Sequence, residues 1–305
     1  MPLNAAIVAW AVRTPLGNSS GEALRRWQAG ERAGALNPRF PAGAYSIDEA
    51  ALVATSPAEH ADGRYLSPIA LHAAEAAREA LTAARLEVAP ERLGVFTGVG
   101  GLRARWDEMM PALMDQTDDG ALAWERGLKS LHPYWMLRHL SNNGHALLAI
   151  GLPARGDGAV CAGGIGGAEA LCAAIRALNA GAVEVALVVA YDSLVEPEVL
   201  VERAARGDRS VPGEAAAAVV LVRSGAFPTV SATTFADGSR GEPAADFVRA
   251  RVGDEVAEDG FRDAFGDVGA AASIVQVALL AERGGGVCVS TAAPGLGAVV
   301  RVVGA

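Results

Sequence analysis

Along this sequence, runs of Val, Ile and Leu alternate with alanine-rich stretches, and this alternation is what most limits the folds open to the chain. Short apolar runs between glycine and polar residues favour buried strands, and longer small-residue stretches favour helices that pack closely on a sheet. Strands are predicted at AAIVAWAV, RLGVFTGV, GAVCAG, VEVALVVA, AAAAVVLV, TVSATTF, GVCVST and AVVRVV. Helices are predicted over 21–29, 68–84, 167–180 and 269–282. The pattern indicates an α/β fold with a buried sheet.

Two segments of the chain share one pattern of glycine turn, small-residue helix and apolar strand. The first is VCAGGIGGAEALCAAIRAL followed by VEVALVVA, and the second is FGDVGAAASIVQVALLAE followed by GGVCVSTAA. Two related halves would explain the similarity. The polar, charged stretch over 238–263 is predicted to be a surface excursion.

Charge and composition exclude several classes of function. A formal net charge of −9 and the lack of a basic run argue against nucleic-acid binding. No uncharged apolar run reaches the ~18 residues of a membrane span, and the opening MPLNAAIVAWAVRTPLG has no basic region ahead of its apolar run, so a cytoplasmic location is expected. Three cysteines, Cys161, Cys172 and Cys288, lack metal-ligand spacing and the even count of a disulfide framework. We therefore expect no metal, and no cofactor.

Residues 156–171, GDGAVCAGGIGGAEAL, read as a buried strand, a glycine-rich turn and the start of a helix. Enzymes use such a turn to present a nucleophile, because the amino terminus of a helix stabilises a thiolate or a developing oxyanion. Gly164 stands where the reactive side chain would be expected.

Several motifs in order resemble the β-ketoacyl synthases of the thiolase superfamily, the condensing enzymes of fatty acid and polyketide synthesis. They are the opening AAIVAWAVRTPLGNSSGEALRRWQAGERAG, the segment SPIALHAAEAAREALTAARLEVAPERLGVFTGVGG, the turn segment above and RSVPGEAAAAVVLV. The resemblance implies a thiolase-like layered α-β-α-β-α fold of two related halves. These are residues 1–226 and a truncated second half, residues 227–305.

The resemblance also implies where a condensing enzyme would hold its catalytic groups. The family's nucleophilic cysteine falls on Gly164, and its histidine before a glycine- and alanine-rich helix falls on Asp267. All five histidines precede residue 146, and the family's other histidine loop has no counterpart. Cys161, three positions before the turn, is a weak candidate nucleophile, because a free cysteine in an apolar strand is usually a buried hydrophobe. Asp267 is expected to cap the helix that starts near Gly269.

The closing APGLGAVV resembles the family's glycine-rich loop near the active site. Gly295, Leu296 and Gly297 are therefore the predicted tunnel or gate residues. Leu296 stands where a gating phenylalanine would be expected, which puts the acyl gate in doubt.

Three functions remain open. The first is a catalytically degenerate subunit that pairs with an active ketosynthase, like a chain-length factor in fatty acid, polyketide or aryl polyene biosynthesis, with an acyl carrier protein as a further partner. The second is an altered enzyme acting on acyl or malonyl thioesters, using Asp267, Cys161 or a histidine among His132, His139 and His145. The third is a non-catalytic binding or scaffold module, which would be a homodimer.

Overall fold

Ten strands and eight α-helices are described in a computed structural model that covers residues 3–305 except 54, 58–60, 102–130, 153, 237–259 and 293–295. The strands are β1 (Ala5–Arg13), β2 (Ala35–Leu36), β3 (Glu49–Ala50), β4 (Leu93–Val99), β5 (Ala159–Ala162), β6 (Val185–Ser193), β7 (Glu214–Val222), β8 (Thr229–Ala236), β9 (Gly285–Ala292) and β10 (Leu296–Val303). The helices are α1 (Ser20–Gln28), α2 (Pro68–Ala84), α3 (Trp135–His139), α4 (Asn143–Gly151), α5 (Gly166–Ala180), α6 (Pro197–Ala205), α7 (Phe261–Phe265) and α8 (Ala272–Arg283). Every strand predicted from an apolar run is present. The four predicted helices are α1, α2, α5 and α8. A 3₁₀ turn over Gly269–Ala271 precedes α8.

The eight long strands form one mixed sheet in the order β5-β4-β6-β7-β1-β8-β10-β9. β4 runs parallel to β5 and β6, and the other neighbours are antiparallel. β1 joins a five-strand part of the sheet (β5, β4, β6, β7 and β1) to a three-strand part (β8, β10 and β9). It pairs with β7 on one side and, through Ala5↔Val230 and Ala6↔Thr229, with β8 on the other. The predicted boundary at residue 226 lies in the connection from β7 to β8; the division into two domains there stays a prediction.

The layers follow from where the helices bury their small-residue faces. α2 packs on β1, β6 and β7 on one side of the five-strand part. On the other side lie α5 and α8, and both also contact the three-strand part: α5 packs on β4, β6 and β8, and α8 packs on β7 and β9. The two helices therefore lie between the two parts of the sheet. In the described part of the chain this gives four of the five thiolase-like layers.

Local sequence signals explain where the main helices begin and end. α2 begins after Ser67, whose hydroxyl accepts the Ala70 N–H, and Pro68 fits the first helical position because its missing N–H needs no partner there. α5 ends at Gly181, whose φ of +73° is a left-handed conformation that glycine adopts without strain. Among the described residues, no helix is long and apolar enough to cross a membrane.

The predicted surface excursion over 238–263 is wrong at its carboxy-terminal end. Phe261 is buried, and its ring lies edge-on to Trp27 with centroids 5.8 Å apart. Phe265 stacks on Phe261 at 4.7 Å. The aromatic pair holds α7 in the core because burying two phenyl rings outweighs the polarity of the residues before them. Residues 237–259 lie outside the described part of the chain.

Candidate functional site

The turn from β5 into α5 has the strand–turn–helix geometry expected from the sequence. The N–H of Gly163 donates to the Val99 carbonyl at 2.8 Å, and the N–H of Gly166 donates to the Gly163 carbonyl at 2.9 Å. Gly163 has a φ of +122°, which favours glycine, whereas Gly164 does not have a positive φ. Gly164 is exposed and lines a cavity at the amino terminus of the 15-residue α5. The turn therefore offers backbone at this position and no side chain.

A close contact between β4 and α5 fixes the start of the helix. A Cβ atom on Gly98 would overlap the backbone of Gly166 and Gly167. A Cβ atom on Gly167 would lie 2.6 Å from the Ser273 Oγ, on α8. Glycine at these positions lets α5 approach both the sheet and the amino terminus of α8. The helices α5 and α8 therefore begin beside the same cavity.

Cys161 lies on β5, three residues before the turn, and is not among the residues that line the cavity. Its side chain is half-buried and packs against the core around α5. Burial raises the pKa of the Cys161 thiol, and the nearby Glu169 carboxylate raises it further. Burial likewise raises the pKa of Cys172. These surroundings favour the neutral thiol, which is the weaker nucleophile.

Asp267 caps the turn that leads into α8, as the sequence predicts. Its Oδ1 accepts the Gly269 N–H at 3.1 Å. Its Oδ2 accepts the Arg203 Nη1 at 2.8 Å and lies 3.5 Å from the Arg262 Nη2. The carboxylate is therefore held by a backbone donor and two guanidinium groups.

A second carboxylate, Asp192, lies at the same place, and the sequence analysis missed it. Asp192 follows the apolar run of β6 and is 3 % exposed. It accepts the Ser193 N–H at 2.9 Å and the Ala270 N–H at 3.1 Å, so it too binds the 3₁₀ turn that leads into α8. The available signal was an acidic residue directly after an apolar run, because such a position lies at the carboxyl end of a buried strand, where sites form.

The cavity beside Gly164 has a volume of about 660 Å³. It lies between the end of β6, α6, α7, the start of α8 and β9. Its charged side chains are mostly paired with one another: Arg203 contacts Asp267 and lies 3.1 Å from Asp208, and Arg206 lies 2.6 Å from Glu202. Burial alone would raise the pKa of Asp208, but hydrogen bonds from Ser210 and the charge of Arg203 outweigh it, and the pKa is lowered.

The candidate histidines lie away from this cavity. His145 sits on α4 with its Nδ1 2.9 Å from the Thr97 Oγ1, and burial lowers its pKa. His139 is buried beside Trp135, and His132 lies beside Tyr134. Among the described residues, no histidine is part of the cavity wall. The structure thus does not bring these histidines together with Gly164 or Asp267.

Two of the three predicted gate residues are described. Leu296 and Gly297 begin β10, where they pair with Ala292 and Thr291 of β9. Neither is among the residues that line the cavity, and Leu296 is 39 % exposed. Gly295 lies outside the described residues. A gate at these positions stays a prediction.

The sheet ends at β5 with an open edge. β5 pairs with β4 on one side, and within the described ranges no strand pairs with its other side. Val160 and Ala162 are exposed. An edge of unpaired backbone groups with small and apolar side chains is a template for pairing with another chain.

Comparison with known proteins identifies the fold. No protein-family model matches the sequence, and no curated protein matches it. Solved structures match over 100 % of both chains: the ishigamide ketosynthase/chain length factor with a TM-score of 0.79 at 16 % identity, and a β-ketoacyl synthase from Burkholderia phymatum STM815 with 0.75 at 13 %. A third is a type II PKS acyl-carrier protein in complex with its ketosynthase bound to the hexaketide, with 0.73 at 15 %. The chain has the thiolase-like ketosynthase fold.

Proposed function

We propose that this chain, folded like a ketosynthase, is a catalytically degenerate subunit that pairs with an active ketosynthase, in the manner of a chain-length factor. The observation that carries the proposal is Gly164: a residue without a side chain occupies the turn at the start of α5. A condensing enzyme needs a thiol at such a turn to form an acyl-enzyme. Glycine cannot supply one.

The 3₁₀ turn that leads into α8 supports the same proposal. The N–H groups of Gly269 and Ala270 in this turn are bound by Asp267 and Asp192. Decarboxylative condensation passes through an enolate, which needs neutral or positive donors, and ionised carboxylates would repel it. We find no support for an altered enzyme that uses Cys161 or a histidine, because neither Cys161 nor any histidine is among the described residues that line the cavity.

The open edge of β5 supports pairing with a second subunit. Backbone groups along this edge would gain hydrogen bonds from a strand of a partner, and Val160 would leave water. One structural neighbour is a ketosynthase/chain length factor, and another is an acyl-carrier protein in complex with its ketosynthase. By extension, we propose an active ketosynthase and an acyl carrier protein as partners, in fatty acid, polyketide or aryl polyene biosynthesis.

Co-purification from the native host tests the proposal. We expect the tagged chain to retain, at close to equal amounts, a ketosynthase that has its own cysteine and histidines. Val160→Lys should abolish this association, because a lysine on an edge strand opposes strand pairing. Val303→Lys is the matched control: Val303 is 55 % exposed on β10, far along the sheet from β5, and its substitution should leave the complex intact.

A chain that purifies alone or only as a homodimer would contradict the proposal. So would a complex that survives Val160→Lys as well as it survives Val303→Lys. Intact-mass spectrometry after incubation with acyl thioesters gives an independent check, because acylation of the isolated chain at any cysteine would show that it is not degenerate.

A further inference from the structure

Two buried side chains in the cavity wall each have a polar atom without a hydrogen-bond partner among the described residues. Gln276 on α8 is 6 % exposed and Ser290 on β9 is 8 % exposed, and both line the cavity beside Gly164. Within the described part of the chain, the Gln276 amide oxygen and the Ser290 hydroxyl have no hydrogen-bond partner. Buried polar groups in native proteins almost always have a hydrogen-bond partner, so an amide oxygen and a hydroxyl left unpaired in one cavity offer a ligand two polar contacts.

The charged groups of the same wall are already neutralised. Arg203 pairs with Asp267, Arg206 pairs with Glu202, and Asp192 holds backbone N–H groups. An anion entering the cavity would meet the carboxylates Asp267 and Asp192, and a cation would meet arginines that have carboxylate partners. Among the described residues of this wall, neither charge finds an unpaired counter-charge, so the free-energy cost of removing a charged ligand from water would not be compensated.

We propose that this cavity binds, without a covalent bond, a small neutral molecule that carries an amide or related carbonyl group and an apolar portion. The Gln276 amide can turn to present either its oxygen or its N–H groups, and the Ser290 hydroxyl can donate or accept. The side chains of Leu194, Val199 and Phe261 supply an apolar wall. A volume of about 660 Å³ is in the ordinary range for small-molecule sites. This inference does not depend on whether a ketosynthase partner exists.

A charge series of ligands of one length tests the chemistry of the site. Hexanamide, hexanoate and hexylammonium each have six carbon atoms in an unbranched chain and differ in the charge of the head group at neutral pH. We expect saturation-transfer NMR on the purified protein, with any partner that remains bound, to show hexanamide binding at least about fivefold more tightly than either charged analogue, which is the size of one hydrogen bond.

Variants in the wall test the residues. Gln276→Leu keeps a side chain of similar size and removes the amide, and Ser290→Ala removes the hydroxyl; each should weaken hexanamide binding about fivefold. Ser273→Ala is the matched control, because Ser273 also has a buried hydroxyl without a partner, on the same helix as Gln276, but is not part of the cavity wall. It should leave binding unchanged. Gln276→Glu should move the preference from hexanamide to hexylammonium.

Several results would overturn the proposal. Equal binding of the three analogues would show that the site does not select neutral ligands. Binding unaffected by Gln276→Leu and Ser290→Ala would place the ligand elsewhere, and no binding of hexanamide at about 10 mM would leave the cavity without this function. Because wild-type protein alone decides the charge series, a variant that fails to fold does not prevent the test, and failure to find a partner subunit leaves its result unchanged.

Discussion

Gly164 removes the side chain from the amino terminus of α5 but leaves the helix itself in place. A 15-residue helix carries a partial positive charge at this end, which lowers the pKa of a thiol placed there. Cys161 is only three residues away in sequence and has the opposite surroundings, since burial and Glu169 raise its pKa. The turn therefore has the electrostatics that would activate a thiol placed at position 164.

Gly164→Cys should create a reactive thiol without creating a condensing enzyme. The φ of Gly164 is not positive, so the backbone accepts a side chain. We expect iodoacetamide at neutral pH to modify this variant about three- to tenfold faster than Ala162→Cys, which places an exposed thiol on β5 instead of at the helix terminus. Peptide mass spectrometry measures both rates. Condensation with a malonyl thioester should remain undetectable. Equal alkylation rates would show that the helix terminus does not activate this position.

At the scale of the elements, the contact between β4 and α5 depends on glycine. Gly98 faces the backbone at the start of α5 so closely that no Cβ atom fits between them. The backbone of a strand and of a helix cannot move apart locally without disturbing the residues packed on both sides, because protein interiors are close-packed. The start of α5, and with it the wall of the cavity, is therefore set by a residue on another element.

Gly98→Ala should lower the free energy of unfolding by about 1–3 kcal/mol or more, since overpacking forces α5 away from the sheet. Gly151→Ala is the matched control. A Cβ atom there meets no other atom within 4 Å, and alanine at the end of α4 should be neutral or slightly stabilising. Urea unfolding of both variants measures the difference. If the two variants are equally stable, α5 can move away from β4 at little cost in free energy.

The sequence allows prediction of those elements whose pattern is local. All eight long strands follow from apolar runs, and α2 follows from Ser67, Pro68 and its alanine spacing. The short helix α7 was not predictable, because Phe261 and Phe265 are buried against Trp27, more than 200 residues earlier in the chain.

The residues of the candidate site also divide into those with a local sequence signal and those that only tertiary packing brings together. Gly164 and Asp267 lie on recognisable local motifs, whereas Asp192, Gln276 and Ser290 meet only through tertiary packing.

At the scale of the whole molecule, two histidines in the interior tie stability to pH. His72 on α2 is 3 % exposed, and His145 on α4 faces Thr97. Burial lowers the pKa of His72 despite the opposing influence of the Glu75 carboxylate, and burial lowers the pKa of His145. The unfolded chain therefore binds protons at a higher pH than the folded chain does. The stability that the neutral histidines contribute is fully present above the unfolded-state pKa near 6.5. It is lost as the pH falls from 6.5 towards the lower pKa values of the folded state.

Acid should therefore destabilise the protein in a pH range where exposed carboxylates are still ionised. Urea unfolding at about pH 7.5 and about pH 5.5 should show a lower free energy of unfolding at the acidic value. The double variant His72→Gln, His145→Gln should show a smaller difference between the two values, although its stability at the higher pH will also change. If the difference in the free energy of unfolding between the two pH values is the same in the double variant and the wild type, groups other than these two histidines cause the destabilisation by acid.

The pairing of β1 has a consequence for synthesis. β1 leaves the ribosome before the other strands of this sheet, and its partner β7 lies about 210 residues later, with Ala6 opposite Val222. At about 5–20 residues per second, translation needs about 10–40 seconds to deliver that partner. Throughout this interval an apolar strand waits unpaired, exposed to chaperones and to other nascent chains. The long separation of β1 from β7 therefore makes this strand a place where the nascent chain can misassociate before the sheet is complete.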